Sequence, residues 1–301
     1  MIFHDTKHLY AEKIFVNEIF APDWVTKSGN NFIISSSRSD KTILIYDTPS
    51  LTFKNSTGIK GGGPNDIQTF PMFCHTVNDK YLYVRGYSHF SIRKITIEPD
   101  GNFAFIDEYE LEGKNNYNHL NIVKDSILIF YDSNILSINK YDLKNKKMIK
   151  SIEQKKEDHK ESYYYSNRGI VAANESFIMF SYIFKKQIDI YDVENFKLVK
   201  TIDNGKKHPI IRVYDEDIIH HYVNTYAGKK FFYAMYGGHS FNRAKNPDYS
   251  NQCIEVYDYE GKPIIKYTFD IHPYQFVVDE ESGYIYGYNS NYEDYLLRYK
   301  L

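Results

Sequence analysis

The chain has 301 residues, with 37 Lys plus Arg against 39 Asp plus Glu and a formal net charge of −2. A balance this close to neutral argues against a surface built for nucleic-acid phosphates, which needs a strong basic stripe. Two distant cysteines, Cys74 and Cys253, exclude a disulfide scaffold, no Cys/His spacing of the zinc type occurs, and no run of ~20 apolar residues suggests a transmembrane segment.

The first 20 residues, MIFHDTKHLYAEKIFVNEIF, carry charges every few positions and lack the apolar core of a signal peptide, so a soluble chain is expected. Within them, HLYAEKIFVNEIF (residues 8–20) is a strand candidate with no unit of its own. A first unit follows in DWVTKSGNNFIISSS and TILIYD, ending at Asp47. A second contains YLYVRGY and IRKITIE, ending at Glu98; a third ends in LSINKYD at Asp142. The polar run from Glu153 to Gly169 is a solvated loop before the fourth unit, whose IDIYD ends at Asp192. FFYAMYGG and IEVYD, ending at Asp258, form the fifth, and YQFVVDEESGYIYGYNSNYEDYLLRYKL forms a sixth of three strands.

Units of ~40–50 residues built from several short strands are those of a β-propeller, and an insertion lengthens the fifth. Helical solenoids share the period but need apolar residues at i, i+3 and i+4. These runs are instead β-branched and aromatic, in a chain with 30 Tyr and 20 Phe. The expectation is an all-β, six-bladed β-propeller of four-stranded antiparallel blades, forming a single domain over residues 1–301. Residues 8–20 supply the missing strand of the last blade by pairing with Tyr295–Leu301, which removes an open edge.

The pair Tyr-Asp recurs at Tyr46-Asp47, Tyr141-Asp142, Tyr191-Asp192 and Tyr257-Asp258. Each pair ends an alternating strand. The ring is expected between adjacent blades, and the carboxylate is expected to accept backbone N–H groups about two residues on. A pair repeated four times punctuates the fold; it is not a catalytic dyad.

The stretch IEVYDYEGKPIIKYTFD, followed by VVDEESGYIYG and the closing YLLRYKL, resembles the C-terminal part of the TolB-like six-bladed β-propeller family of Bacteroides-type bacteria. GIKGGGPNDIQTF (Gly58 to Phe70) is similar to the Gly-rich segment those proteins carry after their first blade. The resemblance implies a cell-envelope setting, periplasmic or outer-membrane-associated, often as a lipoprotein. It implies no established activity. No lipobox cysteine is present here, and a cytoplasmic location stays open.

Loops joining second to third strands, and one blade to the next, share one end of a propeller, where ligands usually bind. They hold SSRSD (Ser36 to Asp40), GGGPND (Gly61 to Asp66), GYSHF (Gly86 to Phe90), YDSN (Tyr131 to Asn134), GKKHP (Gly205 to Pro209) and an insertion from Tyr236 to Gln252. The ligand-binding candidates are Arg38, Asp66, His89, His239 and Arg243. Arg forks and His tips among Tyr rings suit a carboxylate or sugar. GGGPND reads as a tight turn, with anion contact as the alternative; it lacks the Lys-Ser/Thr ending of a P-loop. Asp215, Asp217, His220 and His221 suggest a metal, but adjacent strand residues point to opposite faces, so no metal site or cofactor is expected.

No Ser or Cys sits in a nucleophile elbow, and no catalytic residue is assigned. The function expected is a non-enzymatic binding or interaction module of the envelope, with a carbohydrate, peptide or protein partner. The alternative is a hydrolase or lyase acting on a glycan or peptide through Asp and His residues such as Asp40, Asp66 and Asp132.

Overall fold

The computed structural model describes residues 2–18, 22–61, 66–67, 70–86, 90–112, 116–154, 166–205, 218–240 and 251–301. His89, Arg243, Asp215, Asp217, most of GGGPND and the greater part of the Tyr236–Gln252 insertion lie outside them.

The chain opens with two short strands, β1 (Thr6–Leu9) and β2 (Glu12–Phe15). Blade one follows as β3 (Trp24–Ser28), β4 (Asn31–Ser35), β5 (Lys41–Asp47) and β6 (Thr52–Ile59), and blade two as β7 (Met72–Cys74), β8 (Leu82–Arg85), β9 (Ser91–Ile97) and β10 (Phe103–Glu110). Blade three is β11 (Asn118–Val123), β12 (Ile127–Asp132), β13 (Ser137–Asp142) and β14 (Lys147–Glu153). Blade four is β15 (Gly169–Ala173), β16 (Phe177–Tyr182), β17 (Gln187–Asp192) and β18 (Leu198–Asp203). Blade five is β19 (Ile219–Ala227), β20 (Phe232–Ser240), β21 (Cys253–Tyr257) and β22 (Pro263–Phe269). The last blade is β23 (Gln275–Asp279), β24 (Tyr284–Tyr288) and β25 (Tyr295–Lys300), completed by β2. Within each blade consecutive strands are neighbours in the sheet. The protein is a six-bladed β-propeller.

The N-terminal strand closes the last blade: Glu12 to Phe15 run antiparallel to Tyr295 to Arg298. Arg298 grips Glu12 through Nη2 and Nε, at 2.7–3.0 Å, and donates from Nη1 to the Pro49 carbonyl. The residues before it behave differently from expectation. Thr6 to Leu9 add to blade five, parallel to β22, so that blade has five strands. His8 and Leu9 therefore pair with Thr268 and Phe269, not with the C-terminal strand. Leu9 is buried, and the ring of Phe3 packs edge-on against Tyr257 at 5.4 Å.

Two compact units can be described separately. One comprises residues 1–9, 115–141 and 148–272, and the other residues 10–114, 142–147 and 273–301. In the first, side chains of blades three and four share a core that includes Val123, Ile129, Ile138, Ile178, Phe180 and Tyr191. Blades four and five share another with Met179, Ile188, Ile190, Phe232, Ala234 and Tyr257. In the second, Ile33, Ile43, Ile45, Leu82, Val84 and Ile95 join blades one and two. Strand alternation places these residues on facing surfaces, which burial then locks together.

Three of the four Tyr-Asp pairs perform the role their position suggests; Asp47 departs from it, its Oδ1 accepting from Lys54 Nζ at 3.1 Å and not from a backbone N–H. Tyr191 and Tyr257 sit in the two inter-blade cores of the first unit, and all four tyrosines are buried. The Asp142 Oδ1 accepts the Lys144 and Asn145 N–H groups at 3.0 Å each; Asp258 Oδ1 accepts those of Glu260 and Lys262; Asp192 Oδ1 accepts that of Asn195. Those bonds hold the Asp142 carboxyl below its ordinary value. Four residues after Asp47, Asp142, Asp192 and Asp279 the chain takes positive φ, at Leu51, Lys146, Phe196 and Gly283. The conformation costs a non-glycine residue about 1–2 kcal/mol. Leu51 and Phe196 offset it by burying their side chains, whereas Gly283 has no Cβ to strain.

Both cysteines are free and buried. No helix among the described residues is long and apolar enough to cross a membrane.

Candidate functional site

In the first unit, β20 and β22 both run antiparallel to β21 and so finish at the same end of blade five, where the turn after β16 meets β19. A group of rings gathers there. β19 and β20 are in register at His220 and His239, whose ring centroids lie 6.0 Å apart. Phe184, on the β16–β17 turn, meets His220 edge-on at 5.2 Å. That turn is tied to β19 by the His221 N–H, which donates to the Ile183 carbonyl at 2.6 Å. All of these side chains are half-buried.

His221 turns away from its neighbour and lies against Tyr236, 5.8 Å between centroids. Adjacent residues on a strand diverge, so the two histidines do not face one ion. Among the described residues no group of three or more His, Cys, Asp or Glu is arranged to hold a metal ion.

Burial, with repulsion from His239 second, lowers the pKa of His220, and the same pair of causes brings His272 down to about 4. Both rings are therefore neutral at pH 7, each able to donate from one nitrogen and accept at the other. Gly237 lets the strands approach: a Cβ there would stand 2.9 Å from Val223 Cγ1 and 3.0 Å from the His220 carbonyl oxygen.

Tyr236 leads to a buried carboxylate. Glu255 is 2 % exposed; its Oε2 accepts the Tyr222 and Tyr257 hydroxyls at 2.9 and 2.8 Å, and its Oε1 faces Lys186 Nζ at 3.2 Å. The same ammonium lies 4.2 Å from the centre of the Tyr236 ring. Burial, reinforced by the neighbouring carboxylate, raises both tyrosine hydroxyls well above their usual range. Blade four repeats the device at the matching position. Asp189 accepts from Tyr182 at 2.8 Å, Thr201 at 2.8 Å and Gln187 at 3.1 Å.

Sequence reasoning missed Glu255 and Asp189 as organising residues. Their signal is present in I-D-I-Y-D and I-E-V-Y-D: an acid two residues before the tyrosine occupies the inward phase of an otherwise apolar strand.

Of the expected ligand residues, His239 belongs to this group. Arg38 is exposed on the β4–β5 turn in the other unit. Asp66, also there, is half-buried; its carbonyl accepts from Arg93, and its carboxylate leans on Gly61, where a Cβ would lie 2.0 Å from Oδ2. Asp132 is 4 % exposed and accepts the backbone N–H groups of Asn116 and Asn134, a structural duty. Asp40 is exposed.

No protein-family model and no curated protein sequence matches the chain. Solved structures do. U3-55K aligns over 97 % of this chain and 98 % of its own, at TM-score 0.55 and 6 % identity. BamB from Moraxella catarrhalis aligns over 94 % and 71 %, at TM-score 0.43 and 9 % identity, and a chain of the mitotic checkpoint complex over 92 % and 74 %, at 0.49 and 13 %. At such identities the likeness to U3-55K shows the propeller fold alone.

Proposed function

We propose that this chain is a binding module, not an enzyme, and that its ligand meets the strand ends of blades four and five. The observation that carries the reading is the half-buried group of Phe184, His220 and His239, together with Tyr236, which lies against both His221 and the Lys186 ammonium of the Lys186–Glu255 pair. Flat rings supply stacking faces, the His220 imidazole supplies one donor and one acceptor, and a fixed polar base lies against Tyr236. Such a surface suits a sugar ring or an extended peptide. The rival, a hydrolase or lyase, needs acids that reach substrate. The buried acids of blades four and five, Asp189 and Glu255, are 5 % and 2 % exposed and occupied by hydroxyl donors. Membership of the TolB-like family and an envelope location remain part of this proposal, on the motifs that resemble that family.

The test is thermal melting of the purified protein against a panel of oligosaccharides and short peptides. A compound that binds only the folded state at ~100 times its Kd adds about 2.7 kcal/mol, a readable shift. The expected result is a shift from a sugar or peptide that disappears in the double variant His220→Ala, His239→Ala. A shift indifferent to that variant, or none across the panel, sinks the proposal.

A further inference from the structure

The second unit holds an open cleft of about 760 Å³ beside the outer strand of blade two. One wall is β10, from Asp107 through Leu111. The other is the turn after β13, with Leu143, Lys144 and Lys146, and Phe90 and Ser91 complete the lining. Tyr109, Leu111 and Leu143 are buried and apolar, whereas the Phe90 ring is 51 % exposed. The volume falls in the range of small-ligand sites, ~300–1,000 Å³.

The two walls differ in sign. The acids of the cleft, Asp107, Glu108 and Glu110, all stand on β10, and its lysines, Lys144 and Lys146, both stand on the facing turn. Glu108 is held by its own sheet, accepting from Ser91 at 2.8 Å and from Arg93 at 3.0 Å. Asp107 is exposed, and its Oδ1 accepts the adjacent Glu108 N–H at 2.9 Å. Lys144 is exposed, and the Asp142 carboxyl, held low mainly by bonds from Asn145, lies near its charge. Glu110 and Lys146 pair from wall to wall through side chains that are 73 % and 56 % exposed. An ion pair that exposed contributes little, so a ligand ion can replace either partner at small cost. A ligand charged with one sign gains from one wall and loses to the other, whereas a ligand carrying both signs gains from each.

We propose that this cleft binds short peptides by their two free ends. The terminal ammonium lies on the β10 wall against Asp107 and Glu110, and the terminal carboxylate lies against Lys144 and Lys146. An apolar side chain between them packs on the Phe90 ring. Recognition rests on side chains and leaves the backbone bonds of β10 as they are. The site shares no residue with the ring group of blades four and five and stands or falls separately from it.

The test is isothermal titration calorimetry of the full chain with the tripeptide Ala-Phe-Ala, free at both ends, and with its N-acetyl and C-amide forms. Each blocked form should bind about fivefold more weakly than the free peptide, the scale of exposed charge contacts. Asp107→Asn should weaken the free peptide about threefold and leave the N-acetyl form unchanged. Lys144→Gln should do the same to the free peptide and leave the C-amide form unchanged. Phe90→Ser should remove the advantage of Ala-Phe-Ala over Ala-Ala-Ala. All three positions are exposed, and melting temperatures report whether any variant is misfolded. Free and blocked peptides that bind alike, or binding indifferent to both charge variants, would overturn the proposal. So would the absence of binding by any of these peptides. Binding lost in the double variant His220→Ala, His239→Ala but intact in Asp107→Asn and Lys144→Gln would also overturn it, assigning the peptide to the ring group instead.

Discussion

Replacing Glu255 with Leu removes the acceptor that two buried tyrosines share. The Tyr222 and Tyr257 hydroxyls, 2.9 and 2.8 Å from Oε2, are left in the core between blades four and five. The two hydroxyls also bond one another, so one donor is left orphaned, which costs about 1–3 kcal/mol. Lys186 also loses its partner but is 25 % exposed and can turn to water, so its share is small. Relief from burying the carboxylate offsets part of the loss, which leaves about 1–3 kcal/mol, below the usual cost of removing one partner from a buried charged pair. At the slope typical of large domains this lowers the melting temperature by about 5 °C, measured by circular dichroism or scanning fluorimetry. Glu255→Gln keeps an acceptor and should lose roughly half as much. The sharper comparison is the combined variant Tyr222→Phe, Glu255→Leu, Tyr257→Phe. With both sides of each bond gone, most of the loss should return, since an apolar replacement of the whole network leaves nothing unsatisfied. A Glu255→Leu protein melting within ~2 °C of the parent would refute this account of the network. A combined variant less stable than Glu255→Leu alone would refute the assignment of its cost to the hydroxyls.

Acid should weaken the first unit through its histidines. His272 has its folded pKa lowered from 6.5 to about 4, so the unfolded chain binds more protons, and stability is full above pH 6.5 and lost as pH falls towards 4. At pH 5 the unscreened loss from His272 is at most about 2 kcal/mol, and partial exposure brings it to about 1 kcal/mol, visible as a lower urea midpoint than at pH 7.5 and reduced in His272→Gln. His220 shifts the same way and adds to the slope. Gly169→Ala should destabilise by about 1–3 kcal/mol, because the new Cβ would stand 2.3 Å from Phe180 Cζ. Phe180→Leu should restore part of that in a double-mutant cycle read by urea unfolding; strictly additive losses would show that the clash is relieved elsewhere.

Strand positions, blade number and the Tyr-Asp turns were legible because they are local. Alternation sets which face a residue takes, and an Asp carboxylate finds its N–H partners within four residues. Closure of the last blade by Glu12 to Phe15 was legible for a related reason: the sixth unit was short by one strand. The destination of Thr6 to Leu9 was not. Periodicity says that a segment is a strand, but the choice of β22 depends on an edge some 260 residues away and on a core that receives Leu9 and Phe3. The buried acids show the same division. I-E-V-Y-D displays an acid out of phase, yet only packing brings Tyr222 from the neighbouring strands to the same oxygen as Tyr257. His220, His239 and Phe184 come from three different strands or turns, and their spacing in sequence carries no trace of the 5–6 Å between their rings. The sequence by itself determined the repeat and its punctuation, because those rest on interactions within a hairpin. The tertiary structure alone decided which edges are filled and which rings meet, because those are settled by burial between segments far apart in the chain.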